Sequence, residues 1–237
     1  MGQAIFKQKN GLVAVDVLAA CGVLSLEQFL GLAEAARDTG VRAFKLTSRQ
    51  TVVLVLEEKD VPVMADKIAG LDLRISPYGN TVRAVKACAG NADLCPRAIA
   101  DALNLGIEIQ GKYTGQPVPK DFKIAVAGCS RGCVDPYCAD LGLVADGKNT
   151  YSVAIGGRGG SAKPGHGTVI LGKIPASQIF QVLDHVLARY RELAEPGERF
   201  CKTISRVRID QFIPPSVTVK PGPEVDEEFG RFLTAGE

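Results

Sequence analysis

Four of the seven cysteines fall into two close pairs: Cys88 and Cys95 in KACAGNADLCPRA, and Cys129 and Cys133 in AVAGCSRGCVDP. About 33 residues lie between the pairs, so two loops of a folded unit must meet around one centre. Thiolates are soft ligands, and four of them select zinc or an iron–sulfur cluster over the hard cations. Zinc knuckles usually carry C-x2-C to C-x4-C pairs, whereas these are C-x6-C and C-x3-C. The Gly-Cys-Ser-Arg-Gly-Cys turn also frees backbone N–H groups to point at sulfurs, which is how a protein tunes a cluster. The pattern reads as an iron–sulfur site.

At 237 residues the chain is long enough for one large domain or two small ones. A net charge of +2 predicts no strong attraction to nucleic acid or to a membrane. Lys120, Lys123, Arg131, Lys148, Arg158 and Lys163 nevertheless flank or follow the second cysteine pair with few acids between them. No apolar run approaches the roughly 18 to 20 residues that span a bilayer. The opening MGQAIFKQKNG lacks the apolar core of a signal peptide, so a cytoplasmic location is expected. Reducing conditions there argue against a disulfide framework. Cys21 and Cys201 read as small buried hydrophobes. Cys138, five residues after Cys133, reads as structural, with a spare-ligand role as the alternative.

The first 75 or so residues alternate between strand and helix patterns. A strand is expected over Leu12 to Val17, and a helix after Ser25, with Gln28 completing a capping box and Gly40 ending it. Leu26, Phe29, Leu30, Leu32 and Ala33 form its apolar stripe. Ala43 to Thr47 and Thr51 to Glu57 read as short strands, Pro62 opens a second helix, and Pro77 to Asn80 is a turn cluster. Farther on, a helix is expected over Pro96 to Leu105, its N-terminal dipole facing the metal. KIAVAGC reads as a buried strand that delivers Cys129. Leu141 to Val144 and Tyr151 to Ile155 form a hairpin, and Gly156 to Gly160 begin a basic Gly-rich loop. Ile179, Val182, Leu183, Val186 and Leu187 mark the clearest helix, within Pro175 to Leu193. RFCKTISRVRID reads as one more helix before a Pro-rich, acidic end.

In this order the segments FKLTSRQTVVLVLEE, VRAVKACAGNADLCPRA and KIAVAGCSRGCVDPYCADLGLV, with the GGRGG loop, resemble the sirohaem-dependent nitrite and sulfite reductase family. The resemblance covers about Lys9 to Asp210 and points to the small, single-repeat form. It implies an α+β fold: a ferredoxin-like half-domain over 1–78, packed on a mixed α/β domain for sirohaem and a [4Fe–4S] cluster over 79–212. A tail follows over 213–237.

By this resemblance Cys88, Cys95, Cys129 and Cys133 ligate the cluster, and Cys133 also bridges it to the sirohaem iron. Sirohaem bears eight carboxylates, which Arg meets in bidentate fashion. The resemblance therefore assigns Thr47, Arg49, Arg83, Arg131 and Arg158 to the cofactor. Arg49, Arg131 and Lys86 are candidates to hold the anionic substrate, sulfite or nitrite, and to serve the proton-consuming reduction. Electrons would come from a ferredoxin or a partner reductase subunit, since no flavin or nicotinamide motif is present. His166, in the Gly-rich loop, is a lesser candidate to approach the cofactor.

Three features depart from the family pattern. Its first pair is usually C-x5-C rather than C-x6-C, it does not require Cys138, and larger members contain two copies of the unit. A single copy implies either a two-fold partner, hence a homodimer, or a more open sirohaem. Two readings follow: a sulfite or nitrite reductase working by six one-electron steps, with sulfite preferred, or an electron-transfer or sirohaem-binding subunit without turnover.

Overall fold

Val13–Leu18 is buried along its whole length because both faces of this strand are covered. It is the third strand, β3, of a computed structural model that describes residues 2–215. Around it lie β2 (Ile5–Lys7), β4 (Ala43–Leu46), β5 (Val52–Leu56) and β6 (Arg74–Ile75), in the order β2-β3-β5-β4 with β6 added to β3. Every pairing is antiparallel. A small ribbon of β1 (Gly2–Gln3) with β7 (Pro77–Tyr78) stands beside it. Helices α1 (Leu26–Asp38) and α2 (Val61–Gly70) contribute Leu32, Met64 and Ile68 to a core with Val15, Val17 and Leu54.

The Ser25–Gln28 capping box forms as expected. The apolar stripe of α1 does not face the core as a unit. Leu32, Ala35 and Ala36 are buried, while Leu26, Phe29 and Leu30 are exposed. Helical spacing alone does not say which face meets the sheet.

The second sheet runs β12-β11-β10-β9-β8. Its strands are β8 (Lys86–Ala87), β9 (Ile124–Ala127), β10 (Leu141–Gly147), β11 (Thr150–Ile155) and β12 (Thr168–Pro175). β8, β9 and β10 are parallel to one another, and β11 and β12 complete an antiparallel meander. Helix α3 (Ala102–Tyr113) lies in the crossover between β8 and β9. With α4 (Ile179–Leu193) and α5 (Phe200–Val207) it builds the larger core. The expected apolar face of α4 is buried throughout. The architecture is α+β, and the second sheet is mixed.

Pro96 to Leu105 is not the helix expected from the sequence. Helix α3 starts only at Ala102, capped by the Asp101 side chain on the Asn104 N–H. The Ile99 N–H goes to the Gly128 carbonyl and the Ala102 N–H to the Gly90 carbonyl. These tertiary bonds hold the segment as an irregular link, so no helix N-terminus follows Cys95 directly. The helix also runs on to Tyr113, past the Leu105 end expected from the sequence. The C-terminal tail lies, from residue 216 on, outside the described residues.

Candidate metal centre and cofactor cleft

Parallel pairing brings the loops that carry Cys88 and Cys129 to one side of the second sheet. Ala87 of β8 is opposite Val126 of β9, so both strands end on the same side of the sheet, the side where open α/β sheets place their sites. Cys88 leaves β8 there, and Gly128-Cys129 leaves β9. The Cys88 N–H extends the ladder by bonding the Val126 carbonyl at 3.0 Å. The Gly128 N–H then donates to Cys88 Sγ at 3.1 Å. The two loops touch at glycines: a Cβ on Gly90 would stand 2.8 Å from Cys88 Sγ and 3.0 Å from Gly128 Cα. No side chain fits between them.

Cys88, Cys95, Cys129 and Cys133 are all free thiols, and each is at least partly accessible. Among the described residues, no three His, Cys, Asp or Glu side chains stand close enough to hold a single metal ion. A four-iron cluster takes each thiolate on a different iron, so its ligands stand farther apart than those of one zinc ion. The donor set, with an N–H already aimed at one sulfur, fits such a cluster.

After Cys133 the chain bends sharply, with Asp135 at φ +52°, into a 3-10 turn over Pro136–Cys138. Three glycines cradle this turn. A Cβ on Gly142 would overlap the Pro136 carbonyl oxygen, and one on Gly157 the carbonyls of Tyr137 and Ala139. One on Gly159 would lie 2.9 Å from Cys138 Cβ. The ADLG and GGRGG segments are thus the bed on which the cysteine turn rests. The Gly159 N–H donates to the Cys138 carbonyl and the Gly167 N–H to that of Tyr137.

Between the two sheets and beside this turn lies a cleft of about 300 Å³. Arg49 and Ser48 enter it from the first sheet's side, and Lys86, Lys123, Asp135, Cys138 and Gly159 from the other. Lys86 Nζ stands 3.5 Å from Asp135 Oδ2. Of the sequence candidates, the structure therefore brings together Arg49 and Lys86. Lys123 does not stand out in the sequence, where it is one of several basic residues along that stretch. Its position just before β9 would have given the signal, once β9 was paired with β8.

Arg83 is buried, its guanidinium carbon 4.7 Å from the centre of the Tyr78 ring. Burial, and then the neighbouring Arg49 charge, push its pKa down, yet a guanidinium keeps its proton. The Asp121 and Asp16 carboxylates act in the opposite direction. Arg158 has a buried Nε with no hydrogen-bond partner and lines a second cleft with Lys120, Arg199 and Lys202, where Glu195 and Glu198 also stand. Buried Arg83 and half-buried Arg158, with its unpartnered Nε, fit a ligand rich in carboxylates. Arg131 stands exposed on the turn between its cysteines. The Thr47 hydroxyl is engaged locally, 2.6 Å from that of Thr51, and accepts the Arg49 N–H. The His166 ring packs near Tyr137, with centroids 6.3 Å apart.

Behind the cleft wall, Asp140 accepts the Lys123 N–H at 2.9 Å. Burial pushes its carboxyl up to about 7, against that bond and the Lys123 charge. Cys21 is buried and its thiol is pushed up to about 12, the inert state expected of a core cysteine.

Comparison with known proteins places this geometry. The nitrite and sulphite reductase 4Fe-4S domain matches residues 78–214, and the nitrite/sulfite reductase ferredoxin-like half domain matches residues 6–71. The nitrite reductase [NAD(P)H] of Emericella nidulans is 26% identical over 195 residues, covering 81% of this chain and 17% of that protein. The cobalt-factor III methyltransferase of Priestia megaterium is 26% identical over 201 residues, covering 83% of this chain and 36% of that protein. The chain thus spans well under half the length of these relatives. A crystal structure of dissimilatory sulfite reductase I shares the fold with a TM-score of 0.74 at 13% identity, over 94% of this chain and 78% of that one. Since both units match in chain order and the thiols and buried cations suit a [4Fe–4S] cluster and sirohaem as its cofactors, this chain belongs to the nitrite and sulphite reductase family.

Proposed function

We propose that the chain is a small reductase that takes sulfite to sulfide, or nitrite to ammonia, in six one-electron steps, with sulfite the preferred substrate. The observation that carries this reading is the convergence of Arg49, Lys86 and Lys123 on one cleft beside the cysteine turn. Three cations drawn from both sides of a cleft would hold a small anion, with Lys86 and Lys123, which face the Asp135 and Asp121 carboxylates at 3.5 Å, as proton donors to its oxygens. Arg49 contributes charge to the anion site. Cys88, Cys95, Cys129 and Cys133 would hold the cluster, and Cys133, the exposed one of the four, would be the thiolate that faces the sirohaem. Arg83, Arg131 and Arg158 meet sirohaem carboxylates, and Thr47 supports Arg49. When bound, the two cofactors supply electrons singly to the substrate, drawn from a ferredoxin or a partner reductase subunit. The same reading divides the chain at 78/79.

A second reading has one specific support. The relative from Priestia megaterium is named a methyltransferase, so this unit also occurs in a protein whose name is not that of a reductase. In that reading the chain binds the cluster, or sirohaem, without turnover of its own.

The absorption spectrum of the anaerobically purified protein separates the two. Sirohaem bands that shift when sulfite or nitrite meets the reduced protein support the reductase. Cluster absorption with no tetrapyrrole, even after sirohaem is supplied, overturns it.

A further inference from the structure

Gln50 follows the cleft residue Arg49, and its side chain reaches across to the second sheet. Its Nε2 donates to the Ala87 carbonyl at 2.6 Å, and its Oε1 accepts the Ala87 N–H at 2.8 Å. Ala87 ends β8, the edge strand of that sheet. The Gln50 amide therefore pairs with a free strand edge as another strand's backbone would. The next N–H, that of Cys88, points the opposite way to β9. The backbone beside the first cluster cysteine is gripped from both sides.

The grip is held from the other end too. Gln50 sits at φ +61°, a conformation costly for a residue with a side chain. The turn that imposes it is closed by the Thr47–Thr51 hydroxyl pair and the Thr47–Gln50 backbone bond. One short path thus runs from Arg49 through Gln50 to Ala87 and Cys88, and on through Cys88 Sγ to Gly128.

We infer that Gln50 is a positioning residue: it fixes the cleft wall carrying Arg49 to the strand that presents Cys88, and so sets the cluster's ligand geometry from the first sheet. This rests on the cluster assignment above and is independent of turnover.

The test uses the full chain, purified anaerobically with its cluster, as wild type, Gln50→Leu and Gln50→Asn. Leu removes both bonds. Asn keeps an uncharged amide but is one methylene shorter, so it weakens both. Hydrogen–deuterium exchange of the peptide over 84–90 should quicken about tenfold or more in Gln50→Leu, as expected for losing two net hydrogen bonds. The cluster's midpoint potential should shift in the same variant, with the uncharged Gln50→Asn between it and wild type. Faster exchange at an unchanged potential would reduce Gln50 to a structural bond and overturn the inference, as would no change in either. If Gln50→Leu does not fold, Gln50→Asn carries the same two readings. Neither measurement requires substrate reduction. A wild type that shows the grip but reduces neither anion overturns the proposed function and leaves Gln50's role standing.

Discussion

The Gly128 N–H and Cys88 Sγ lie 3.1 Å apart, so the loop after β9 hydrogen-bonds a sulfur from the loop after β8. Gly90 lets the loops approach this closely. Gly90→Ala puts a methyl group against Cys88 Sγ and the Gly128 backbone. It should cost about 1–3 kcal/mol, the usual range for overpacking, and lower the iron bound per chain. Iron and acid-labile sulfide assays, beside a denaturation curve, check both effects.

Arg49 brings a charge into the cleft from the first sheet's side. Arg49→Ala should raise the apparent KM for sulfite or nitrite about tenfold or more, the scale of one charge-assisted hydrogen bond, or else lose sirohaem. Steady-state kinetics with a tetrapyrrole assay distinguish these results. No change in either would remove Arg49 from the anion site.

Cys133 and Cys138 stand five residues apart with different surroundings. Cys133 is exposed, while Cys138 is half-buried in the cleft wall against Gly159. Cys133→Ser should abolish reduction and separate the sirohaem signal from that of the cluster. Cys138→Ser should retain wild-type iron content. Electron paramagnetic resonance with iron assays reads both, and iron loss in Cys138→Ser would make Cys138 a ligand.

Asp140 gives the fold a pH dependence of definite sign. Its folded carboxyl is pushed up to about 7, above the roughly 3.9 of an unfolded aspartate. Between those values the folded chain binds the proton more tightly. This residue's contribution therefore falls as pH rises from about 4 to about 7, by at most roughly 1.4 kcal/mol per pH unit. Asp140→Asn should remove that slope. Anaerobic urea unfolding at pH 5 and pH 7.5 should show the variant losing less stability than wild type.

The cysteine spacing is local, and so the metal centre is legible before any fold is known. The same holds for β9, an unbroken apolar run, and for α4, whose six buried residues share one face. Other features depend on contacts distant in sequence. Helix α3 begins late because the Ile99 and Ala102 N–H groups bond Gly128 and Gly90 rather than their own turn. Lys123 joins the cleft only through the parallel pairing of β8 with β9. Arg158 belongs with Lys120 and Arg199, residues whose meeting no linear pattern announces.

The three glycines around the Pro136–Cys138 turn have a consequence for how this chain can vary. At Gly142 and Gly157 the space for a first side-chain carbon is occupied by backbone carbonyls, which no rotamer change relieves. A saturation library should therefore be almost silent at these two sites, with even alanine failing. Gly160, where an added carbon meets nothing within 4 Å, should accept those residues that tolerate its φ of +61°. Within a single Gly-rich loop, permitted and forbidden positions would alternate according to which residues touch the cysteine turn, a fitness map drawn by backbone oxygens rather than by chemistry.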